Sequence, residues 1–111
     1  MKAGDIILYS LPQADGKAKL RPVLLLKKMP RYNDWLVCGI SSQLHQFIPD
    51  FDLLIDTTHH DFKKSGLKKS GIIRLSFLSV IPSEEIAGVI GELSSEVVGA
   101  LQKNLSNYLI S

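Results

Sequence analysis

Residues 72–81 of the 111-residue chain read Ile-Ile-Arg-Leu-Ser-Phe-Leu-Ser-Val-Ile, which is the clearest β-strand pattern in the sequence. It is rich in β-branched residues and contains neither glycine nor proline, which predicts a strand. Because side chains alternate faces along a strand, Ile73, Leu75 and Phe77 are expected to face the core, and Arg74 and Ser76 the opposite side. An arginine in an apolar strand needs a partner, and the simplest interpretation is an ion pair with an aspartate.

Similar β-forming stretches surround this strand. The predicted strands cover residues 5–9, 21–28, 35–41, 52–56 and 88–93. The interior of the second is continuously apolar from Val23 to Leu26, which predicts burial on both of its faces. Residues 10–20 carry Pro12 and an Asp15-Gly16 pair and are predicted to form a long loop. Short helical turns are expected near residues 61–64 and 84–87.

The last part of the chain changes its apolar period from two to about 3.6, which predicts an amphipathic helix. Ser94 or Ser95 is expected to cap its N-terminus. The apolar stripe consists of Val97, Val98, Leu101, Leu105 and Tyr108. The predicted fold class is therefore mainly β with a C-terminal helix (α+β), in a single domain spanning residues 1–111.

The formal net charge is only +2, but the basic residues are concentrated in two windows. Six of the 13 lysines and arginines lie in residues 17–31 and five in residues 63–74, and neither window contains an acidic residue. This segregation suits a protein that binds a phosphate backbone. Lysines that keep strand edges soluble are the alternative explanation.

One cysteine, Cys38, lies among apolar neighbours and is predicted to be a small core residue rather than a reactive thiol. A single cysteine also favours a reducing compartment, so a cytoplasmic location is expected. No run of residues approaches the ~18 apolar residues that span a bilayer, and no membrane partner is expected.

Polar side chains at two strand ends are candidates for chemistry. Arg21 stands where the predicted loop meets the second strand, and its guanidinium offers a planar pair of donors to a phosphate. Ser41, Ser42 and Gln43 end the third strand and supply two hydroxyls and an amide. The alternatives are a surface arginine at a strand end and hydroxyls that bond to nearby backbone groups.

The two adjacent histidines are candidate metal ligands. His59, His60 and Asp61 are consecutive, but adjacent histidines on an extended chain point apart and no further ligand has suitable spacing. We therefore predict no metal and no cofactor. His45, four residues after Ser41 in a polar stretch, is expected to be solvated or to reach the same pocket as Ser41.

Five segments, in order along the chain, resemble successive blocks of the MazF/PemK toxin family. They are residues 4–8, the loop and Arg-Pro strand at 15–26, the Ile-Ser-Ser-Gln segment at 40–43, residues 65–75, and residues 91–94 before the helix. The resemblance implies a small SH3-like barrel of the MazF/PemK/CcdB type, a homodimer, and an antitoxin partner whose flexible tail covers the active site. It also implies the toxin activity of a type II toxin–antitoxin system. That activity is sequence-selective, metal-independent cleavage of single-stranded RNA, leaving 2′,3′-cyclic phosphate and 5′-hydroxyl ends.

The same resemblance assigns roles to individual residues. Arg21 occupies the position of the family's catalytic arginine, Ser41 that of a catalytic hydroxyl, and Arg74 that of an arginine some members use. Those members carry an aspartate two residues after that arginine, where this chain has Ser76. The general base is therefore unassigned, and His45 is one substitute. The residues expected to bind RNA are Lys17, Lys19, Ser42, Gln43, His45, Lys68, Lys69 and Ser76.

Two alternatives stay open at this point. Related toxins of the same fold inhibit DNA gyrase through a tryptophan near the C-terminus, but the only tryptophan here is Trp35. A relative that binds RNA or its antitoxin without cutting is the second alternative, because Ser76 replaces an acidic residue.

Overall fold

The computed structural model describes residues 1–12 and 15–111, which form six antiparallel strands and two α-helices. The strands are β1 (Asp5–Pro12), β2 (Ala18–Lys28), β3 (Asp34–Ser41), β4 (Leu53–Ile55), β5 (Gly71–Pro82) and β6 (Ile86–Glu92). The helices are α1 (Phe62–Ser65) and α2 (Ser95–Leu109), and short 3₁₀ turns cover Leu44–Gln46 and Ser83–Glu85. The mainly β fold with a C-terminal helix is confirmed.

All six strands belong to one sheet in the order β4-β5-β3-β2-β1-β6. In the two described ranges, no ladder joins the edge strands β4 and β6, so the barrel is not closed by hydrogen bonds. Instead α1, which follows β4, packs against β6. The backbones meet where Gly66 faces Ile90 and Gly91 faces Ser65, because glycine has no Cβ to keep them apart.

Apolar side chains are buried on both faces of the sheet. Leu24 and Leu26 of β2 belong to the larger cluster, which packs under α2. Val23 and Leu25, alternating with them, belong to a second cluster that contains Trp35. The prediction that residues 23–26 are buried on both sides is therefore confirmed.

The predicted long loop over residues 10–20 is wrong in its extent. The β1–β2 ladder continues through the pairs Ser10↔Leu20, Leu11↔Lys19 and Pro12↔Ala18, so the connection is shorter. Backbone pairing extends this hairpin beyond the core, into a part of β2 where residues 18–21 are exposed.

Phe77 was predicted to face the core with Ile73 and Leu75, and this is wrong. Gly39 of β3 pairs with Arg74, whereas the preceding residue Cys38 pairs with Leu78. Three residues of β5 therefore have no partner on β3, and this odd number reverses which side of the sheet the following residues face. Phe77 is 55% exposed as a result.

Helix α2 begins at Ser95, so Ser94, one of the two residues predicted to cap it, is the N-cap residue, but its side chain does not cap the helix. The hydroxyl of Ser94, the N-cap residue, donates to Asp61 Oδ2 at 2.9 Å and makes no bond to the helix itself. Tyr108, predicted to lie in the buried stripe, is mostly exposed and contacts the Phe51 ring. Neither helix of the described chain is long and apolar enough to cross a membrane.

Candidate functional site

A shallow depression of about 110 Å³ lies where β2, β3 and the segment before β5 meet. It contains five of the residues that the sequence singled out. They are Arg21, Ser41, Ser42, Lys68 and Lys69. Side chains separated by up to 48 positions in the sequence thus share one site.

Local backbone geometry explains why these residues meet. Gly71 opens β5, and a Cβ there would lie 3.1 Å from Ile40 Cγ2, so the glycine lets the preceding segment approach β3 closely. That approach carries Lys68 and Lys69 to the end of β3. The Ser41 hydroxyl oxygen accepts the Gln43 backbone N–H at 3.0 Å and fixes the turn that follows β3.

The composition of the depression suits an anion. Its lining includes three cationic side chains and, with Ser70 added to Ser41 and Ser42, three hydroxyls. No carboxylate or imidazole is among the described residues that line it. The arrangement can therefore hold a phosphate by charge and hydrogen bonds, with the Arg21 guanidinium able to contact two oxygens at once.

Arg74 lies on the same face of the sheet as this depression but does not line it. It pairs with Gly39, which pairs in turn with Val23, two residues after Arg21. Arg74 Nη1 donates to Gln46 Oε1 at 3.1 Å, and its Cζ lies 4.0 Å from the centroid of the Phe77 ring. The predicted ion pair with an aspartate is wrong, since no carboxylate of the described chain lies within 4.0 Å of this guanidinium. Its Nε is buried without a hydrogen-bond partner among the described residues.

The other predicted RNA-binding residues lie outside the depression. Lys17 and Lys19 are exposed near the tip of the β1–β2 hairpin, and Gln43 and His45 are exposed beside the turn after β3. Ser76 lines a different cavity of about 680 Å³, next to the C-terminal half of α2.

Two residues that the sequence did not single out support Arg74. Gln46 accepts its hydrogen bond, and nothing in the local sequence marks this glutamine. Asp52, with only 6% of its surface exposed, accepts the backbone N–H of Leu75 at 3.2 Å and that of Ile48 at 3.0 Å. The sequence signal that could have identified Asp52 is the presence of an acidic residue directly before the apolar strand β4.

The histidine pair behaves differently from its prediction. The segment is a turn rather than an extended chain, so the rings of His59 and His60 stack with centroids 4.4 Å apart. Their nitrogens and an Asp61 oxygen lie within 4.8 Å of one another. However, His59 Nδ1 accepts the Asp61 N–H at 3.0 Å, so its lone pair is already in use. The proton of the neutral ring is then on Nε2, which has no lone pair left to bind a metal. Lys64 Nζ, 3.5 Å from Asp61 Oδ1, already brings a positive charge to this group.

Cys38 is buried and makes no disulfide, as predicted. Burial, with a smaller contribution from the negative charge of Asp52, raises the pKa of its thiol to about 12. The thiolate that reacts with electrophiles is therefore absent at neutral pH, and Cys38 serves as a core residue.

Solved structures with the same fold are bacterial toxins. The Mycobacterium tuberculosis toxin MazF-mt6 superimposes with a TM-score of 0.69 over 96% of both chains, at 21% sequence identity. A second Mtb toxin superimposes with a TM-score of 0.59 over 78% of this chain and 90% of its own, also at 21% identity. No curated protein matches the chain by sequence. The fold is thus that of a small toxin of the MazF class.

The sequence identifies the family directly. Residues 2–109 match the family of PemK-like, MazF-like toxins of type II toxin–antitoxin systems, so the chain belongs to that family. Membership implies an antitoxin partner.

Proposed function

We propose that this toxin is an endoribonuclease that cleaves single-stranded RNA without a metal cofactor, with selectivity for sequence. The observation that carries the proposal is the convergence of Arg21 and Ser41 with Lys68 and Lys69 in one depression. MazF-family toxins are generally endoribonucleases, and two of these four residues match family catalytic positions.

The proposed reaction is attack of a ribose 2′-oxygen on the adjacent phosphorus. A bond forms between the 2′-oxygen and phosphorus while the bond from phosphorus to the 5′-oxygen breaks, which leaves a 2′,3′-cyclic phosphate and a 5′-hydroxyl. Arg21 stabilises the charge that develops on the phosphate, and Ser41 donates a hydrogen bond to one of its oxygens. Lys68 and Lys69 hold the neighbouring backbone, and Arg74 adds positive charge from the same face.

The proton of the 2′-hydroxyl needs an acceptor. Ser76 lines another cavity and has no basic side chain, and His45 is not among the residues that line the depression. Because the described lining offers neither carboxylate nor imidazole, this proton leaves through water or through a group brought by the RNA or by a partner chain, and the departing 5′-oxygen takes a proton from water to become the 5′-hydroxyl.

The proposed partners are single-stranded RNA, an antitoxin and a second copy of this chain. The proposed location is the cytoplasm.

The proposed dimer surface is apolar and combines the end of α2 with β5. Its residues and their exposed fractions are Leu78 at 42%, Val80 at 54%, Tyr108 at 66%, Leu109 at 70% and Ile110 at 81%. Contiguous apolar exposure of this kind is typical of a protein interface. Sedimentation equilibrium tests it: a Leu109→Asp variant is expected to be monomeric at concentrations where the wild type is dimeric.

The experiment for the nuclease function uses long single-stranded RNA with the purified toxin in EDTA. Its variants are Arg21→Ala and, as a matched control, Arg31→Ala, which removes an exposed arginine from the turn at the other end of β2. We expect discrete cuts with 2′,3′-cyclic phosphate ends from the wild type and the control, and at least a 100-fold loss with Arg21→Ala.

Intact RNA after incubation with folded wild-type toxin, across many sequences, would contradict the proposal. The non-cleaving alternative would then apply, with Ser76 as its marker. Gyrase inhibition is not favoured by any contact, since Trp35 is 5% exposed within the core.

A further inference from the structure

A second concave site lies on the same face of the sheet as the Arg21 depression. It is an open slot of about 300 Å³ between Tyr9 of β1 and Phe77 of β5. Tyr9 pairs directly with Arg21, so the side chains of these two residues share a face and the slot borders the phosphate-binding depression.

The floor of the slot is apolar and kept open by a glycine. Val23, Val37 and Gly39 line it, and no charged side chain is among its described lining residues. A Cβ on Gly39 would lie 3.2 Å from Phe77, so a larger residue would push into the ring and the slot. Ser79 and Tyr9 add hydroxyl groups to this lining.

The rim of the slot is cationic on two sides. Arg21 lies next to Tyr9, and the Arg74 guanidinium lies over the Phe77 ring at 4.0 Å. Phe77 is 55% exposed although it is aromatic, while Arg74 is held in place by Gln46. An apolar slot with a guanidinium group near each of two sides fits an aromatic ring attached to an anionic group.

We propose that this slot binds the nucleobase of a nucleotide adjacent to the cleaved phosphate. This inference rests on the proposed nuclease function. The base packs against Phe77 and Tyr9, while its phosphates contact Arg21 and Arg74. Packing of this kind tolerates any base, because each has a flat π-face, and the two hydroxyls add hydrogen bonds to its edge.

The test is a double-mutant cycle in which the Phe77 ring is removed from the protein and a base is removed from the RNA, separately and together. Its probes are fluorescent single-stranded RNAs with a 2′-deoxynucleotide at the mapped cleavage position, which removes the attacking hydroxyl. Each probe is made in an intact form and with an abasic nucleotide on one or the other side of that position. Dissociation constants are measured by anisotropy for the wild type, Phe77→Leu, Phe77→Trp and Val89→Ala. Val89 is an exposed apolar residue of β6 outside the slot and provides the matched control.

We expect removal of one of the two flanking bases to weaken wild-type binding about tenfold. The same removal is expected to change binding by Phe77→Leu less than twofold, while Phe77→Trp and Val89→Ala behave like the wild type.

Equal losses in the wild type and Phe77→Leu at both positions would overturn the base site and leave the nuclease function intact. A change of oligomeric state in RNA-free Phe77→Leu would assign the slot to a protein interface and also overturn it. Failure of the wild type to bind any RNA would overturn both proposals.

Discussion

The buried carboxylate of Asp52 accepts the backbone N–H of Leu75, the residue directly after Arg74, at 3.2 Å. Its second oxygen accepts the backbone N–H of Ile48, two residues after Gln46. One carboxylate therefore joins the loop that carries Gln46 to the irregular part of β5 that carries Arg74. The hydrogen bond between Gln46 and Arg74 joins the same two segments.

Replacement of Asp52 by asparagine tests the link. The amide has one acceptor oxygen in place of two, so one of the two backbone N–H groups loses its partner. We expect a loss of about 1–3 kcal/mol in the free energy of unfolding, measured in urea. Asp50→Asn is the matched control, because Asp50 is exposed and has a φ of 63° that asparagine tolerates. Equal stability of the two variants would show that the buried link contributes nothing.

The contact between α1 and β6 gives a second prediction. A Cβ on Gly91 would overlap the carbonyl group of Ser65, whereas a Cβ on Gly88 of the same strand would meet nothing within 4 Å. We expect Gly91→Ala to destabilise the fold by about 3 kcal/mol and to lower Tm by more than about 10 °C. Gly88→Ala is expected to stay within about 0.5 kcal/mol of the wild type. A Tm for Gly91→Ala close to that of Gly88→Ala would mean that α1 moves away at little cost.

The strands around residues 23–26 and the C-terminal helix follow from local apolar patterns, since burial on one or two faces determines which positions are apolar. The meeting of Arg21 with Ser41 followed from resemblance to a family rather than from the pattern of residues. The exposure of Phe77 was unpredictable, because it depends on three unpaired residues in β5 and one strand's sequence does not encode its neighbour's register. The bonds of Asp52 were missed for a similar reason: they join backbone groups far apart in sequence.

A third prediction concerns acid stability. Asp61 Oδ2 accepts hydrogen bonds from the backbone N–H of Ser94 at 2.8 Å and from its hydroxyl at 2.9 Å. Burial opposes ionisation of Asp61, but these hydrogen bonds, with the charges of Lys64 and His60, outweigh it and hold its pKa below the ordinary value. The folded state thus favours the carboxylate, and the stabilisation is present above the unfolded pKa of about 4 and lost as pH falls through the lower folded pKa.

We therefore expect Asp61→Asn to be less stable than the wild type at pH 7, by about 1–2 kcal/mol, and to lose less stability on acidification below pH ~4. Urea unfolding at pH 7 and at several pH values below 4 measures both effects. Glu85→Gln, which removes an exposed carboxylate, is expected to follow the wild-type profile. Parallel acid profiles for Asp61→Asn and the wild type would show that Asp61 does not contribute to the pH dependence.

The fourth prediction addresses the two lysines of the depression. Lys68 and Lys69 lie beside Arg21 and Ser41, where they are proposed to contact successive phosphates. Each contact to a single strand releases counterions and contributes about 0.7 to the slope of log K against log salt concentration. Replacing either lysine by glutamine is therefore expected to reduce the magnitude of that slope by about 0.7, and replacing both by about 1.4. Binding of a non-cleavable 2′-deoxy-substituted RNA, measured between 50 and 200 mM NaCl, gives the slope. The control variant Lys103→Gln on α2 is expected to leave the slope unchanged.

If Lys103→Gln reduces the slope as much as Lys68→Gln does, net charge rather than contact at this depression governs RNA binding. If none of the three changes it, the RNA backbone follows a different path across the protein.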